Sequence, residues 1–152
     1  MFKRSEMIDE IQTYLGLLQS KVNFANDIGK TDLNTDSEDF FCKLLNFVYK
    51  LNLKNLNKLQ VDFPAIDLGD NGARTCFQVT SRVDINKIRE TLDAFERKEL
   101  YHEYDTINIL VIGNKSKHTA KLDYKYCKFK YDENLFDIMD LSQYFGQNFR
   151  FF

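Results

Sequence analysis

Hydrophobic residues recur at helical spacing in the first third of the chain. Over residues 5–22 the apolar side chains lie three or four positions apart and polar ones fill most other positions, which predicts an amphipathic helix. A polar connector over residues 23–35 follows. Asp36 or Ser37 is then expected to cap a second helix that is apolar on almost every side and therefore largely buried.

Two apolar runs and a sharp turn predict a β-hairpin over residues 61–81. The turn is Gly69-Asp70-Asn71-Gly72, in which Gly tolerates positive φ and Asp and Asn can satisfy their own backbone. A helix capped by Asp84 is expected next, because apolar residues recur every three or four positions over residues 85–95. Residues 106–112 are an almost unbroken apolar run, typical of a central strand buried on both faces.

The order of these elements predicts an α/β fold with a small mixed central sheet flanked by helices. The tail, residues 124–152, is expected to add a strand near Cys127 and a helix around residues 135–144. The chain has 152 residues, and neither an internal repeat nor a linker-like segment divides it. We therefore expect a single domain over residues 1–152.

Composition and charge narrow the class of protein. The net charge is −2 and the pI about 5.7, so no overall positive field draws the chain to nucleic acid or anionic lipid. Cys42, Cys76 and Cys127 lie far apart, which argues against a disulfide framework or a zinc site. No window reaches the roughly 20 apolar residues of a membrane span, and the first residues lack the apolar run of a secretion signal. A cytoplasmic protein without membrane contact is expected.

A basic segment at residues 115–130 carries six lysines interleaved with aromatic residues. Such a pattern favours contact with a phosphate backbone and stacking of bases. A solvated strand or loop is the other interpretation, since surface lysines are common.

Asp67 interrupts the apolar residues of the first predicted hairpin strand. A carboxylate in such a strand has a high desolvation cost unless it is paired, and a metal ion is one partner that removes this cost. The alternative is a buried carboxylate satisfied by hydrogen bonds. Asp70, in contrast, is interpreted as a turn residue, and Cys76 as a small buried thiol.

Several motifs together resemble the bacterial SMEK-type domain and, more broadly, the PD-(D/E)XK nuclease superfamily. The resemblance covers about residues 7–113. The residues that carry it are Ser37-Glu38-Asp39-Phe40-Phe41, Leu44-Leu45-Asn46, Leu56-Asn57, Phe63-Pro64-Ala65-Ile66-Asp67-Leu68-Gly69-Asp70, Gln78-Val79-Thr80-Ser81 and Lys87-Ile88-Arg89-Glu90-Thr91 with the residues that follow. It implies a restriction-endonuclease-like αβββαβ core.

The resemblance also implies a site for Mg²⁺ or Mn²⁺. Asp67 matches the first metal ligand of the superfamily, Gln78 stands at the position of its second acid, and the carbonyl of Val79 is a further ligand. Glu38 matches an accessory acid. From the residues alone, Glu38 is also explained as an acid in the first turn of a helix, and Gln78 as a partner in a cross-strand hydrogen bond.

The motif lysine of the superfamily is absent, because Thr80 stands in its place. A threonine hydroxyl can hydrogen-bond a water molecule, but it carries no positive charge. Lys87, on the helix that follows, is the nearest replacement, and Arg82 and Lys98 are weaker candidates.

The resemblance therefore implies a metal-dependent phosphodiester hydrolase, a nuclease directed at DNA and linked to defence against phage or mobile elements. The alternative is a catalytically degenerate nuclease fold that binds protein or nucleic acid as an adaptor. The aromatic end Phe149-Arg150-Phe151-Phe152 favours burial or contact with a partner. A homodimer or a partner protein of a defence system is the corresponding expectation.

Overall fold

A computed structural model describes residues 2–27, 35–60, 63, 65–141 and 143 of the chain. The sequence expectations for residues 144–152, including the aromatic end, lie outside this part. The α-helices and β-strands occur in the order α1 (Phe2–Asp27), α2 (Thr35–Tyr49), β1 (Lys54–Asn55), α3 (Leu56–Leu59), β2 (Leu68–Asp70), β3 (Thr75–Thr80), α4 (Ile85–Arg97), β4 (Thr106–Val111), α5 (Tyr131–Asn134) and β5 (Leu135–Asp137). A short 3-10 helix, Leu100–His102, lies between α4 and β4.

The described strands form one mixed sheet in the order β1-β2-β3-β4-β5. The β1–β2 and β2–β3 pairs are antiparallel, whereas β3–β4 and β4–β5 are parallel. A parallel pair needs a crossover connection, and α4 supplies it between β3 and β4. The predicted α/β fold with a small mixed sheet is therefore confirmed.

The sheet separates two hydrophobic cores. On one side Leu110 and Ile112 join the apolar residues of α1 and α2. On the other side Ile107, Ile109 and Val111 pack in the core that contains the apolar face of α4. Because alternate residues of β4 enter opposite cores, the prediction of a central strand buried on both faces is confirmed.

The predicted helices form with shifted ends. The first covers Phe2–Asp27 and so includes the first residues of the expected polar connector. The second begins at Thr35, which places Asp36 and Ser37 inside its first turn rather than at the cap. Asp84 does cap α4, because its side chain accepts a hydrogen bond from the backbone N–H of Lys87.

The hairpin forms, but its first strand is shorter than predicted. Strand β2 begins at Leu68, so Asp67 lies immediately before the strand and does not interrupt it. Ala65 has a φ of 69°, in the left-handed region that few non-glycine residues adopt. The regular alternation of a strand therefore breaks ahead of Asp67, and both Ile66 and Leu68 are fully buried, in opposite cores.

The prediction for the tail is wrong for the strand near Cys127 and right in part for the helix that follows. Cys127 lies in a segment, residues 114–130, that has no regular strand or helix. The last strand in the described residues is Leu135–Asp137, which occupies the start of the expected helix. The rest of that helix forms in part, because residues 138–141 and 143 are helical. Pairing with β4 decides this outcome, because Leu135 lies opposite Ile109 in a parallel register that the local sequence pattern does not encode.

Candidate functional site

The backbone of Asp67 is held from both sides. Its N–H donates to the Phe77 carbonyl at 3.0 Å, and its carbonyl accepts from the Leu56 N–H at 2.8 Å. These bonds extend the sheet by one residue beyond the start of β2. The position of the Asp67 carboxylate is therefore set by its neighbours in the sheet and not by a flexible loop.

The carboxylate of Asp67 is buried and accepts two hydrogen bonds. Oδ2 accepts from the Val79 N–H at 2.9 Å, and Oδ1 accepts from Nδ2 of Asn57 at 2.9 Å. The same Nδ2 donates to Oε2 of Glu38 at 3.1 Å. One amide group therefore joins an acid of α2 and the acid just before β2, and we call Glu38 and Asp67 the acid pair.

A second amide holds the neighbouring acid of α2. Nδ2 of Asn55 donates to Oδ1 of Asp39 at 3.0 Å, and Lys58 forms an ion pair with the same carboxylate. Asn55 also caps α3, since its side chain accepts from the Asn57 N–H at 3.1 Å. The negative charge of Asp39 is thus balanced by Lys58, whereas the acid pair is bridged by the uncharged amide of Asn57.

Both members of the acid pair are shifted toward the protonated form. Burial raises the pKa of Glu38, and the Asp67 carboxylate adds to this effect against the hydrogen bonds from Asn57 and Asn55. Burial also raises the pKa of Asp67, opposed by the Val79 N–H, the Asn57 amide and the charge of Lys87. A cation at the pair would act in the opposite direction on both groups.

The other motif residues lie on β3. Nε2 of Gln78 donates to the Val79 carbonyl at 3.3 Å, so two of the predicted ligands contact each other. Thr80 is buried, and its hydroxyl oxygen accepts from the Arg82 N–H at 3.1 Å. Strand alternation places Gln78 and Thr80 on the face shared with Cys76, which is buried as predicted. The functional roles of Gln78, Val79 and Thr80 stay predictions.

Among the replacements for the motif lysine, Lys87 is best placed. It lies in the first turn of α4, and its charge acts on Asp67. Arg82 is paired with Asp84 at 2.8 Å and with Glu90 at 3.1 Å. Lys98 follows the last turn of α4, about 16 Å further along the helix axis than Lys87 at 1.5 Å per residue.

The sequence did not assign roles to Asn55 and Asn57. Asn55 precedes α3 and Asn57 lies within it. This helix has four residues and is too short for a periodic hydrophobic signal. The preference for Asn at a helix N-cap is a signal that points to Asn55. The contact of Asn57 with the acid pair is tertiary and has no local spacing pattern.

The donors around the acid pair suit a hard cation. Within the described part of the chain, no group of three or more His, Cys, Asp and Glu side chains is arranged to hold a metal ion. The contacts of Asn57 instead bring together two carboxylates, those of Glu38 and Asp67. Mg²⁺ fits such a set, since it commonly takes one or two carboxylates and keeps several waters.

A groove of about 360 Å³ opens beside β1 and β2. Its lining includes Lys54, Leu56, Leu59, Phe63 and Tyr104. Its link to the acid pair is Phe63, whose backbone N–H donates to Oδ1 of Asn57 at 3.1 Å.

The basic segment at residues 115–130 packs partly across α4. The hydroxyl of Tyr124 donates to Asp93 at 2.8 Å, and Glu96 accepts from the backbone N–H of Tyr126 at 2.7 Å. The ring of Tyr126 stacks on Tyr101 with a centroid distance of 4.2 Å. One face of this ring is therefore already covered.

In the described residues no helix has the length and hydropathy to cross a membrane.

Fold and site together define a mixed α/β domain with a bridged acid pair beside the start of β2. A family model described as the SMEK domain matches residues 10–146, and the chain therefore belongs to the SMEK domain family. This match begins at residue 10 and continues past residue 113, where the segment that carries the motifs quoted above ends. No curated protein and no solved structure matches the chain.

Proposed function

We propose that this SMEK-family chain is a metal-dependent phosphodiester hydrolase of the PD-(D/E)XK superfamily, acting on DNA in the bacterial cytoplasm. A role in defence against phage or mobile elements, as a homodimer or with a partner protein, is part of the same proposal. The observation that carries it is the acid pair: Glu38 and Asp67 come from different elements, share the Asn57 amide, and are both destabilised as anions by burial. A divalent cation would compensate that cost.

The ligands proposed for Mg²⁺ or Mn²⁺ are Asp67, Glu38, Gln78 and the carbonyl of Val79. When bound, the ion would lower the pKa of a coordinated water and neutralise the scissile phosphate. The reaction is hydrolysis: the water oxygen forms a bond to phosphorus, the bond to the leaving oxygen breaks, and that oxygen takes the electron pair and a proton.

Two other residues act on the substrate in this proposal. Lys87 supplies the positive charge that the missing motif lysine would give, because its charge already acts on Asp67. Thr80 offers a hydroxyl hydrogen to orient the attacking water. Lys87 therefore carries the electrostatic part of catalysis, stabilising the charge that develops on the phosphate oxygens.

The adaptor function remains the second candidate, and the β3 contacts favour it. Gln78 binds the Val79 carbonyl, and Thr80 accepts the Arg82 N–H at the end of the strand. Both side chains are thus explained as structural groups. In this alternative the hairpin persists as a scaffold and the surface binds protein or nucleic acid without cutting it.

A plasmid-nicking assay in Mg²⁺ or Mn²⁺ separates the two candidates. Asp67→Ala is expected to abolish nicking, and Lys87→Ala to lower it by about 100- to 1,000-fold, the typical effect of losing a charge-stabilising donor. Asp132→Ala and Arg97→Ala are the matched controls, because both side chains are exposed and lie outside the acid pair and the basic segment at residues 115–130. The controls are expected to retain wild-type nicking.

Two results would contradict the hydrolase. Nicking that is equal in the wild type, Asp67→Ala and Lys87→Ala would show that a contaminant produces it. Absence of nicking on double- and single-stranded DNA and RNA, with a folded protein, would favour the adaptor.

A further inference from the structure

Asn57 uses its backbone N–H and both ends of its side-chain amide in connecting parts of the chain. Its backbone N–H donates to Asn55, and its Oδ1 accepts from the Phe63 N–H at 3.1 Å. Its Nδ2 supplies one hydrogen to Glu38 and one to Asp67. An asparagine amide has two donor hydrogens, so both are committed to the acid pair.

The orientation of this amide is fixed by chemistry. The backbone N–H of Phe63 can only donate, and the amide atom that faces it must therefore be the oxygen. The nitrogen then necessarily faces the two carboxylates. Asn57 is thus a donor to Glu38 and Asp67 and not a ligand oxygen at this site.

We propose that Asn57 is a positioning residue that holds Glu38 and Asp67 in the orientation required to bind a divalent cation. This inference rests on the proposed metal-dependent function. The amide brings the two carboxylates together without adding a charge, so the pair keeps its negative charge for a cation. An ammonium group at the same place would cancel one of the two negative charges of the pair.

The carboxylates retain free acceptor capacity for a metal ion. A carboxylate has about four lone-pair sites, and Asp67 uses one for Asn57 and one for the Val79 N–H. Hydrogen-bond donors behind ligating carboxylates commonly fix their orientation, and their loss typically lowers metal affinity by about 10- to 100-fold. Asn57 is such a hydrogen-bond donor to both Glu38 and Asp67.

Asn46 provides a matched control. Its amide also ties α2 to the following segment, since Oδ1 accepts from the Leu53 N–H at 2.7 Å and Nδ2 donates to the Leu53 carbonyl at 3.1 Å. It differs from Asn57 in that these partners are backbone groups and not carboxylates. Loss of either amide is expected to lower stability, but only loss of Asn57 is expected to weaken cation binding.

The test is Mn²⁺ binding by calorimetry to the full chain, with urea unfolding measured in parallel. Asn57→Ala is expected to bind Mn²⁺ about 10- to 100-fold more weakly than the wild type, and Asn46→Ala to bind it with unchanged affinity. Asn57→Ser retains a single donor hydrogen and is expected to show a smaller loss. It also serves in place of Asn57→Ala if that variant does not fold.

The outcomes separate this inference from the proposed function. If Asp67→Ala loses Mn²⁺ binding while the Asn57 variants keep wild-type affinity, the positioning role is refuted and the metal site stands. Equal losses in Asn57→Ala and Asn46→Ala would also refute the positioning role, because the effect would be structural. If Asp67→Ala and the wild type bind Mn²⁺ equally, the proposed metal site is refuted together with the role of Asn57.

Discussion

Gly69 lies in the middle of β2, where an added methyl group has no room. A Cβ at this position would be 2.4 Å from the hydroxyl oxygen of Tyr104 and 2.9 Å from its Cζ. Tyr104 is only 1% exposed, and its hydroxyl donates to Oδ1 of Asn71 at 2.9 Å. The ring cannot move away without losing this bond, so Gly69→Ala is expected to destabilise the protein.

The expected size follows from two opposing effects. Ala is favoured over Gly within a strand by about 0.5–1 kcal/mol, whereas overpacking a buried site costs about 1–3 kcal/mol. Since the added Cβ would lie well under 3.0 Å from Tyr104, the cost falls in the upper half of its range, and Gly69→Ala should lower the free energy of unfolding by about 1–2.5 kcal/mol. Tyr104→Phe removes the closest atom at the cost of one hydrogen bond, about 1 kcal/mol. The double variant should consequently lose less than the sum, by about 1 kcal/mol.

Urea unfolding of the four proteins in this double-mutant cycle measures the coupling. Gly16→Ala is the matched control, because nothing lies within 4 Å of a Cβ added at that position in α1. It is expected to gain up to about 1 kcal/mol. The reasoning is refuted if Gly69→Ala is as stable as the wild type, or if the two substitutions in β2 and Tyr104 are additive.

Three further predictions concern polar and thiol groups. Hydrogen bonds, first of all from the Ala73 N–H, lower the pKa of Asp70. In urea unfolding the wild type should therefore be more stable than Asp70→Asn at neutral pH and lose this advantage as the pH falls below about 4. A difference in stability that does not change with pH would contradict this. Burial raises the pKa of Cys127 to about 11, so only about one thiol in a thousand is ionised at pH 8. Ellman's reagent should therefore label Cys127 only after the protein unfolds, and rapid labelling of the folded protein would contradict this. Asn134→Ala removes the donor to the buried Asn108 oxygen and should lower the free energy of unfolding in urea by about 1–3 kcal/mol. A loss below about 0.5 kcal/mol, the size of an ordinary surface substitution, would argue against a stabilising role for this hydrogen bond.

The main helices and the central strand could be predicted because each carries its own pattern. In α4 the apolar residues recur at helical spacing after the Asp84 cap, and in β4 the apolar run is continuous. Strand β1 and helix α3 carry no such pattern, since they span two and four residues. Strand β1 forms because it pairs with β2. Such elements follow from tertiary pairing rather than from local periodicity.

The candidate site likewise has residues that the sequence indicates and residues that only the tertiary contacts reveal. Glu38 and Asp67 stand out in the sequence because each is an acid within a recognisable motif, and the structure joins them through one amide. The role of Asn57 could not be predicted, because its partners lie 19 and 10 residues away. The break in strand alternation before Asp67 was equally hidden, since it depends on the positive φ of Ala65.

The central claim is that Glu38 and Asp67 together bind a divalent cation. The most direct measurement is anomalous X-ray diffraction from crystals grown with Mn²⁺, for the wild type and for Asp67→Ala. The account predicts a manganese peak in the wild type within about 2.1 Å of oxygens of both carboxylates, and its loss in Asp67→Ala. Wild-type crystals with no manganese peak at these carboxylates would contradict the account.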